Sequence, residues 1–168
     1  YLFVVNSDKI RKIELPSGKV KMEYSADNLK GFTSFVVTPD NSGFVAGYRV
    51  SRAHSRIGHW KFNKKVPVTV SGEIDNDYVN RRFAGLSFSP DGKEICAVMD
   101  FSRNSPKWVQ LFSFPELNEN EKRIKVKNYN AFDAGFDPEN GGLMFFSDHT
   151  RALVDSKTGE EIKKLPFT

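Results

Sequence analysis

Histidine and cysteine side chains are the first places to look for catalysis or metal binding. The three histidines are His54, His59 and His149. His54 and His59 lie five positions apart, which is not the i, i+2 spacing that places two metal ligands on one face of a strand. Cys96 falls within the apolar run "EICAVMD", where a small buried thiol is the usual explanation. The sequence also has no Gly-x-Ser-x-Gly elbow and no Gly-rich phosphate loop. We therefore expect no catalytic residue, no metal site and no cofactor.

Acidic residues recur inside one short pattern, "SFSPDGKEI" from Ser87 to Ile95. It aligns without gaps with "VVTPDNSGF" and "GFDPENGGL", and the prolines lie about 50 residues apart. Proline presets φ for a turn, and the Asn or Gly that follows the acidic residue tolerates the left-handed conformation of a hairpin exit. The pattern predicts three β-hairpins, each with a structural acidic residue: Asp40, Asp91 and Glu139.

A second pattern lies downstream of the hairpins. "SDKIRKIELPSGKVKMEY" resembles "SDHTRALVDSKTGEEIKKL", each with a Ser-Asp pair, a strand, a turn and another strand. Asp8 and Asp148 in these pairs are predicted to hold turns through backbone N–H groups rather than to catalyse a reaction. The four aligned segments share one large apolar position: Ile13, Trp60, Phe112 and Val154.

These patterns together resemble the WD40-like and YVTN-type β-propeller repeats, in which four-stranded antiparallel blades circle a central channel. "SFSPDGKEICAV" is similar to the first hairpin of such a blade, and "TRALVDSKTGEEIKKL" is similar to its third and fourth strands. The resemblance covers essentially the whole chain. No Gly-His pair precedes a blade, and the Trp-Asp dipeptide is replaced in all four segments.

The resemblance implies an all-β fold, a β-propeller segment of roughly 3.75 antiparallel blades within a ring of about seven. Residues 1–28 are expected to form a partial blade without its innermost strand, and residues 29–78, 79–128 and 129–168 to form complete blades. A blade without its inner strand leaves an unpaired edge. The ring is therefore expected to be completed by further blades, by a second subunit or by an unrelated partner.

Composition leaves several classes of partner open. The 168 residues carry a formal net charge of +4, with both signs mixed along the chain, so acidic partners are plausible without being required. The single cysteine excludes an internal disulfide; a reducing compartment, cytoplasmic or nuclear, fits but does not follow. No apolar run is long enough to span a membrane, and the first residues do not resemble a signal peptide.

Arginine and tyrosine are concentrated in segments that the propeller resemblance places on one face. These are the loops from the second to the third strand of a blade and from the fourth strand to the next blade. Guanidinium groups suit carboxylates and phosphates, and arginine with tyrosine is enriched at binding hot spots. The candidate partner-binding residues are Arg52, His54, Arg56, Tyr78, Arg81, Arg82, Arg103, Lys107 and Tyr129.

The function expected from this resemblance is that of a non-catalytic scaffold for protein partners, with an acidic or phosphorylated peptide as a candidate ligand. Three alternatives remain open at this point. The chain is also compatible with the propeller portion of an enzyme whose catalytic domain lies elsewhere, with an RNA-contacting propeller of a ribonucleoprotein, and with a small-ligand sensor that uses the central channel.

Overall fold

The structure is a computed structural model that describes residues 1–6, 8–75, 82–100, 108–125, 133–139, 141–146, 151–158 and 160–165. For residues 75, 82, 100, 108, 120–123, 125 and 133 it describes the backbone alone. All regular secondary structure in these ranges is β-strand. Within the same ranges there is no helix long and apolar enough to cross a membrane.

Four antiparallel sheets follow one another along the chain. The first contains β1 (Leu2–Val5), β2 (Ile10–Ile13) and β3 (Val20–Tyr24), in that order. The second contains β4 (Gly31–Val37), β5 (Gly43–Arg49), β6 (His54–Lys61), β7 (Thr69–Val70) and β8 (Ile74–Asp75). The third contains β9 (Arg82–Phe88), β10 (Glu94–Asp100), β11 (Trp108–Ser113) and β12 (Glu119–Lys125). The fourth contains β13 (Asp133–Phe136), β14 (Leu143–Phe146), β15 (Arg151–Val154) and β16 (Glu161–Leu165).

The second sheet differs from the expected four strands because its outer strand is split. Both β7 and β8 pair with β6, at different positions along it. Between them, Ser71 N donates to Ile57 O at 2.9 Å, and Ser71 Oγ accepts from Ile57 N at 3.0 Å. A serine hydroxyl thus takes the place of a backbone carbonyl in the ladder, so the outer strand bulges without leaving the Ile57 N–H unpaired.

The first hairpins of the second and third sheets have the turn geometry that the sequence predicts. Asn41 has φ of 55° and Gly92 has φ of 71°, the left-handed region that follows the Pro-Asp pair in both turns. The turns close on backbone bonds, with Asn41 N donating to Thr38 O and Gly92 N donating to Ser89 O, each at 2.9 Å. The segment "SFSPDGKEI" is therefore the hairpin between β9 and β10.

The sheets stack face to face in chain order, and the central strands show this directly. Side chains alternate between the two faces of a strand. Along β5, Phe44, Ala46 and Tyr48 belong to the core shared with the first sheet, whereas Val45 belongs to the core shared with the third. Along β10, Ile95 and Ala97 face the second sheet and Cys96 and Val98 face the fourth. Each middle sheet is therefore covered on both faces.

Two side-chain hydrogen bonds join the described parts of the first and second sheets beside the apolar core. Trp60 Nε1 donates to Ser25 O at 3.0 Å, and the Tyr24 hydroxyl donates to Phe62 O at 3.1 Å. The Trp60 ring stacks on Phe44 with centroids 5.2 Å apart and an interplanar angle of 8°. The innermost strands β4, β9 and β13 lie side by side, and Phe136 N donates to Ser87 Oγ at 3.2 Å. This is the architecture of a β-propeller segment.

Candidate functional site

The register of the strands defines two ends of the stacked sheets. At one end, which we call the loop end, β4 begins opposite the end of β5, since Gly31 pairs with Arg49. The third sheet repeats this arrangement, because Arg82 at the start of β9 pairs with Asp100 at the end of β10. In both sheets, the start of the first strand and the connection from the second to the third strand therefore lie at the loop end. The Pro-containing hairpins lie at the other end, which we call the turn end.

Arg52 lies in a short, ordered loop at the loop end of the second sheet. Val50 N and Ser51 N both donate to His54 O, at 3.0 and 3.2 Å. The Ser51 hydroxyl accepts from Ala53 N at 3.1 Å and from His54 N at 3.0 Å, and it lies 3.0 Å from His54 Nδ1. Because these bonds tie the loop to the start of β6, the exposed Arg52 side chain projects from a defined backbone.

The loop is shorter than the sequence pattern indicates, and this changes the position of two predicted residues. β6 begins at His54, so His54 and Arg56 are strand residues rather than loop residues. Arg56 Nη2 donates to Glu73 Oε1 at 2.8 Å, across the bulge of the outer strand. Arg56 is therefore held by a carboxylate of its own sheet. Burial raises the pKa of Tyr48, its partner in the β5–β6 register, and the nearby Arg56 guanidinium opposes that effect.

Two cations that the sequence analysis did not select lie beside Arg52. Lys30 N donates to Arg49 O at 2.7 Å, so these two residues are adjacent at the start of β4 and the end of β5. Lys30 is exposed and Arg49 is half-buried. Asp27, in the loop that leads to Lys30, is the acidic residue that acts on the pKa of Tyr48 here. We call Lys30, Arg49 and Arg52 the basic loop end.

The other predicted partner-binding residues fall beyond what the structure describes. Arg82 is the first residue of β9, and its backbone alone is described. Five further residues of the predicted surface lie outside the described residues: Tyr78, Arg81, Arg103, Lys107 and Tyr129. A cationic surface that extends from the second to the third and fourth sheets therefore stays a prediction.

The acidic residues of the hairpins bond within their own turns. The Asp40 carboxylate accepts from the Thr38 hydroxyl at 2.7 Å, from Ser42 N at 3.0 Å and from the Ser42 hydroxyl at 2.9 Å. The bond from Thr38 contributes most, and together these bonds lower the pKa of the Asp40 carboxyl group to about 2. Asp91 has the same arrangement, accepting from the Ser89 hydroxyl at 2.7 Å and from Lys93 N at 3.1 Å, and these bonds lower its pKa.

The third hairpin uses a different carboxylate from the one that the alignment indicates. Asp137 stands where the other turns have Thr38 or Ser89, and its Oδ1 accepts from Glu139 N at 3.1 Å. The Glu139 backbone, rather than its carboxylate, therefore bonds in this turn. Asp8 lies in the turn from β1 to β2, and the described residues provide no hydrogen bond to its carboxylate. Asp148 lies outside the described residues.

The residues with catalytic potential are buried apart from one another. Cys96 is fully buried in the core between the third and fourth sheets. His59 is 6% exposed, its ring packs edge-on against Phe114 at 4.9 Å, and neither ring nitrogen has a hydrogen-bond partner among the described residues. No group of three His, Cys, Asp or Glu that could hold a metal occurs in the described ranges.

A cavity of about 360 Å³ lies between the innermost strands of the second, third and fourth sheets. Its polar side chains are the hydroxyls of Ser34 and Ser87, and the rest of its lining is small or apolar. Ser87 Oγ is already engaged, since it accepts from Phe136 N and donates to Phe88 O at 3.4 Å. The lining contains no charged residue that would select an ionic ligand.

Comparison with known proteins supports the fold and identifies no protein family for this chain. No protein-family model matches the chain, and no curated protein matches it in sequence. Among solved structures, the chain is similar to hydrazine synthase of Kuenenia stuttgartiensis, with a TM-score of 0.73 and 15% sequence identity. The match covers 96% of this chain and 44% of that chain. Because 326 chains of solved structures match, the shape by itself does not select a function.

Proposed function

We propose that the chain is part of a WD40-like β-propeller that acts without catalysis and binds an acidic or phosphorylated segment of a protein partner at its loop end. The observation that carries this proposal is the basic loop end itself. Three cationic residues, Lys30, Arg49 and Arg52, lie on a loop and two strand ends whose backbone is held by hydrogen bonds. Because this backbone is already ordered, binding of an anionic group requires ordering of the side chains alone.

The neighbouring charges leave the site positive, because Asp27 is the one acidic residue among residues 25–30, which lead to β4. Arg56 is neutralised by Glu73 at 2.8 Å, whereas the described residues form no ion pair with Lys30 or Arg52. Guanidinium and ammonium groups together bind carboxylates and phosphates, the arginine through its planar fork. Because the site is exposed, binding is expected to weaken as salt screens the charges.

The first prediction concerns charge reversal at this site. Binding of a fluorescent peptide rich in glutamate and phosphoserine is measured by fluorescence anisotropy for the wild type and for the double variant Lys30→Glu, Arg52→Glu. We expect the double variant to lose about tenfold or more in affinity, because each lost contact removes a charge-assisted bond. Lys93→Glu is the matched control, since Lys93 lies at the turn end and its side chain is 80% exposed.

Equal affinity and equal salt dependence for wild type and double variant would contradict the proposal. Tighter binding of a single-stranded RNA oligonucleotide than of the peptide would favour the RNA-contacting alternative. The double variant Arg81→Glu, Arg82→Glu then tests whether the surface reaches the start of β9, since affinity falls further only if the third sheet contributes cations.

A further inference from the structure

Three exposed valines lie in and just before the outer strand of the second sheet. Val66, Val68 and Val70 are 56%, 45% and 36% exposed. The segment runs beside β6, because Val68 N donates to His59 O at 2.7 Å and Thr69 pairs with His59. Only Val70 lies within β7, since the backbone bends at Val66 and Val68. Pro67 and Thr69 between the valines are half-buried, and we call the three exposed valines the valine stripe.

This stripe contrasts with the outer strands of the other sheets. β3, β12 and β16 each contain charged residues of both signs, whereas the segment from Val66 to Gly72 contains none. Charges on an edge strand are the common protection against unwanted pairing. The segment from Val66 to Gly72 lacks such charges, and Pro67 is the residue in it that opposes addition of a strand. This is the composition expected of an edge that a partner covers.

Lysines flank the stripe on one side. Lys61 ends β6, and Lys64 and Lys65 follow in the turn that precedes the stripe; all three are exposed, and Lys64 N donates to Lys61 O at 3.0 Å. We call them the lysine turn. Residues 61–72 include no Asp or Glu. Glu73 is paired with Arg56, and Asp40 bonds within its own hairpin. The described residues form no ion pair with these three lysines.

A groove adjoins the lysine turn. Ser25 N donates to Lys65 O at 3.0 Å, which joins the turn to the end of the first sheet. The groove, of about 450 Å³, lies between this turn and β3, and its lining includes Val20, Met22, Lys21 and Lys65. Its acidic residues are Asp8 and Glu23, and Glu23 is paired with Lys9 at 3.2 Å and with Arg11 at 2.7 Å. Lys21 is paired with Glu14 at 2.9 Å. Val20, Met22 and the Lys65 ammonium group thus continue the apolar and cationic surface from the stripe into the groove.

We propose that the valine stripe and the lysine turn together bind an extended partner segment in which acidic and apolar residues alternate. An extended segment presents its apolar side chains to one side and its carboxylates to the other, which matches valines beside lysines. Side-chain contacts carry this binding, because Pro67 has no N–H to donate to an added strand. The surface lies at the opposite end of β6 from the basic loop end, and it does not depend on the proposed function.

The test uses two synthetic peptides, one with alternating Glu and Val and one with alternating Lys and Val, each with a fluorescent label. We expect the Glu-Val peptide alone to bind the wild type. The double variant Val66→Ser, Val68→Ser is expected to lose about tenfold in affinity. Ile162→Ser is the matched control, because Ile162 is 59% exposed on the outer strand β16 of another sheet.

A charge swap makes the test sharper. The double variant Lys64→Glu, Lys65→Glu is expected to reverse the preference, so that the Lys-Val peptide binds more tightly than the Glu-Val peptide. In the background of Lys30→Glu, Arg52→Glu, which removes the basic loop end, Val66→Ser with Val68→Ser is still expected to weaken binding of the Glu-Val peptide, and this separates the two surfaces. Circular dichroism confirms that each exposed substitution leaves the fold intact.

Three results would overturn the proposal. The first is wild-type binding that does not distinguish the two peptides. The second is unchanged binding in the valine variant. The third is a concentration-dependent dimer of the free chain, seen by sedimentation and abolished by the valine substitutions, which would make a second copy the occupant of the stripe.

Discussion

His59 shows how the environment of one residue can set a pH response. Its ring is almost fully buried against Phe114, and no hydrogen bond among the described residues stabilises the protonated form. Burial, with a smaller contribution from Lys61, lowers the pKa of His59 below its ordinary 6.5, and Asp40 partly opposes the shift. The folded protein therefore binds a proton at this position less readily than the unfolded chain does.

The second prediction concerns this histidine. Because its folded pKa is lowered, the unfolded chain takes up a proton first, and stability falls as the pH drops below 6.5 until the folded state also titrates. His59→Leu is expected to reduce this loss of stability between neutral and mildly acidic pH. The measurement is the free energy of unfolding by urea at a series of pH values.

The matched control for this prediction is Ile57→Val in the same strand, which lowers stability without removing a titratable group. Its pH profile is expected to run parallel to that of the wild type. A His59→Leu profile parallel to the wild-type profile throughout the range would contradict the assignment.

At the scale of the strand, small residues mark the places where neighbouring sheets come closest. Gly47 in β5 faces the third sheet, where an added Cβ would lie 2.5 Å from Phe83 Cδ2 and 2.8 Å from Ser34 Oγ. Val45, two positions earlier, packs in the core on the same face. The absence of a side chain at Gly47 therefore lets the Phe83 ring lie against the β5 backbone.

The third prediction tests this contact. Gly47→Ala is expected to destabilise the protein by about 1–3 kcal/mol, because the added methyl group overpacks the core between the second and third sheets. Gly72→Ala is the matched control, since an added Cβ there meets no atom within 4 Å. Urea denaturation of both variants measures the difference. Equal stabilities of the two variants would show that Phe83 moves away without loss of packing.

At the scale of the whole molecule, the described residues of each sheet pack against the sheets next to it in the chain. Among these residues, three cores lie between the four sheets, and each contains residues from two successive sheets. Stability in such an arrangement is close to a sum of sheet and interface contributions, as in other repeat architectures. Substitutions in different cores are therefore expected to act independently.

The fourth prediction is additivity across the cores. Ile57→Val in the middle core and Ile124→Val in the core between the third and fourth sheets are each expected to lower the free energy of unfolding by about 1 kcal/mol. The double variant is expected to equal their sum within about 0.5 kcal/mol. A larger departure, measured by urea denaturation, would indicate that the sheets unfold as a more strongly coupled unit.

Most of the fold could be predicted from local patterns in the sequence. The Pro-Asp-Asn and Pro-Asp-Gly turns predicted the hairpins because their backbone conformations depend on residues within the turn. The start of β6 at His54 was harder to predict from the sequence, since it depends on the pairing of β6 with β5 rather than on the composition of the loop. The alignment of the turns likewise indicated Glu139, whereas the carboxylate that bonds in the third hairpin lies two positions earlier, at Asp137.

The candidate surfaces depend on contacts between residues far apart in the chain. An all-β chain with Pro-containing hairpins follows from the sequence, because strand alternation and turn chemistry act over a few residues. The pairing of Arg56 with Glu73, the position of Lys30 beside Arg49 and the exposure of the valine stripe follow from the tertiary structure. The register between strands and the stacking of whole sheets set these outcomes, and neither is encoded within a single segment.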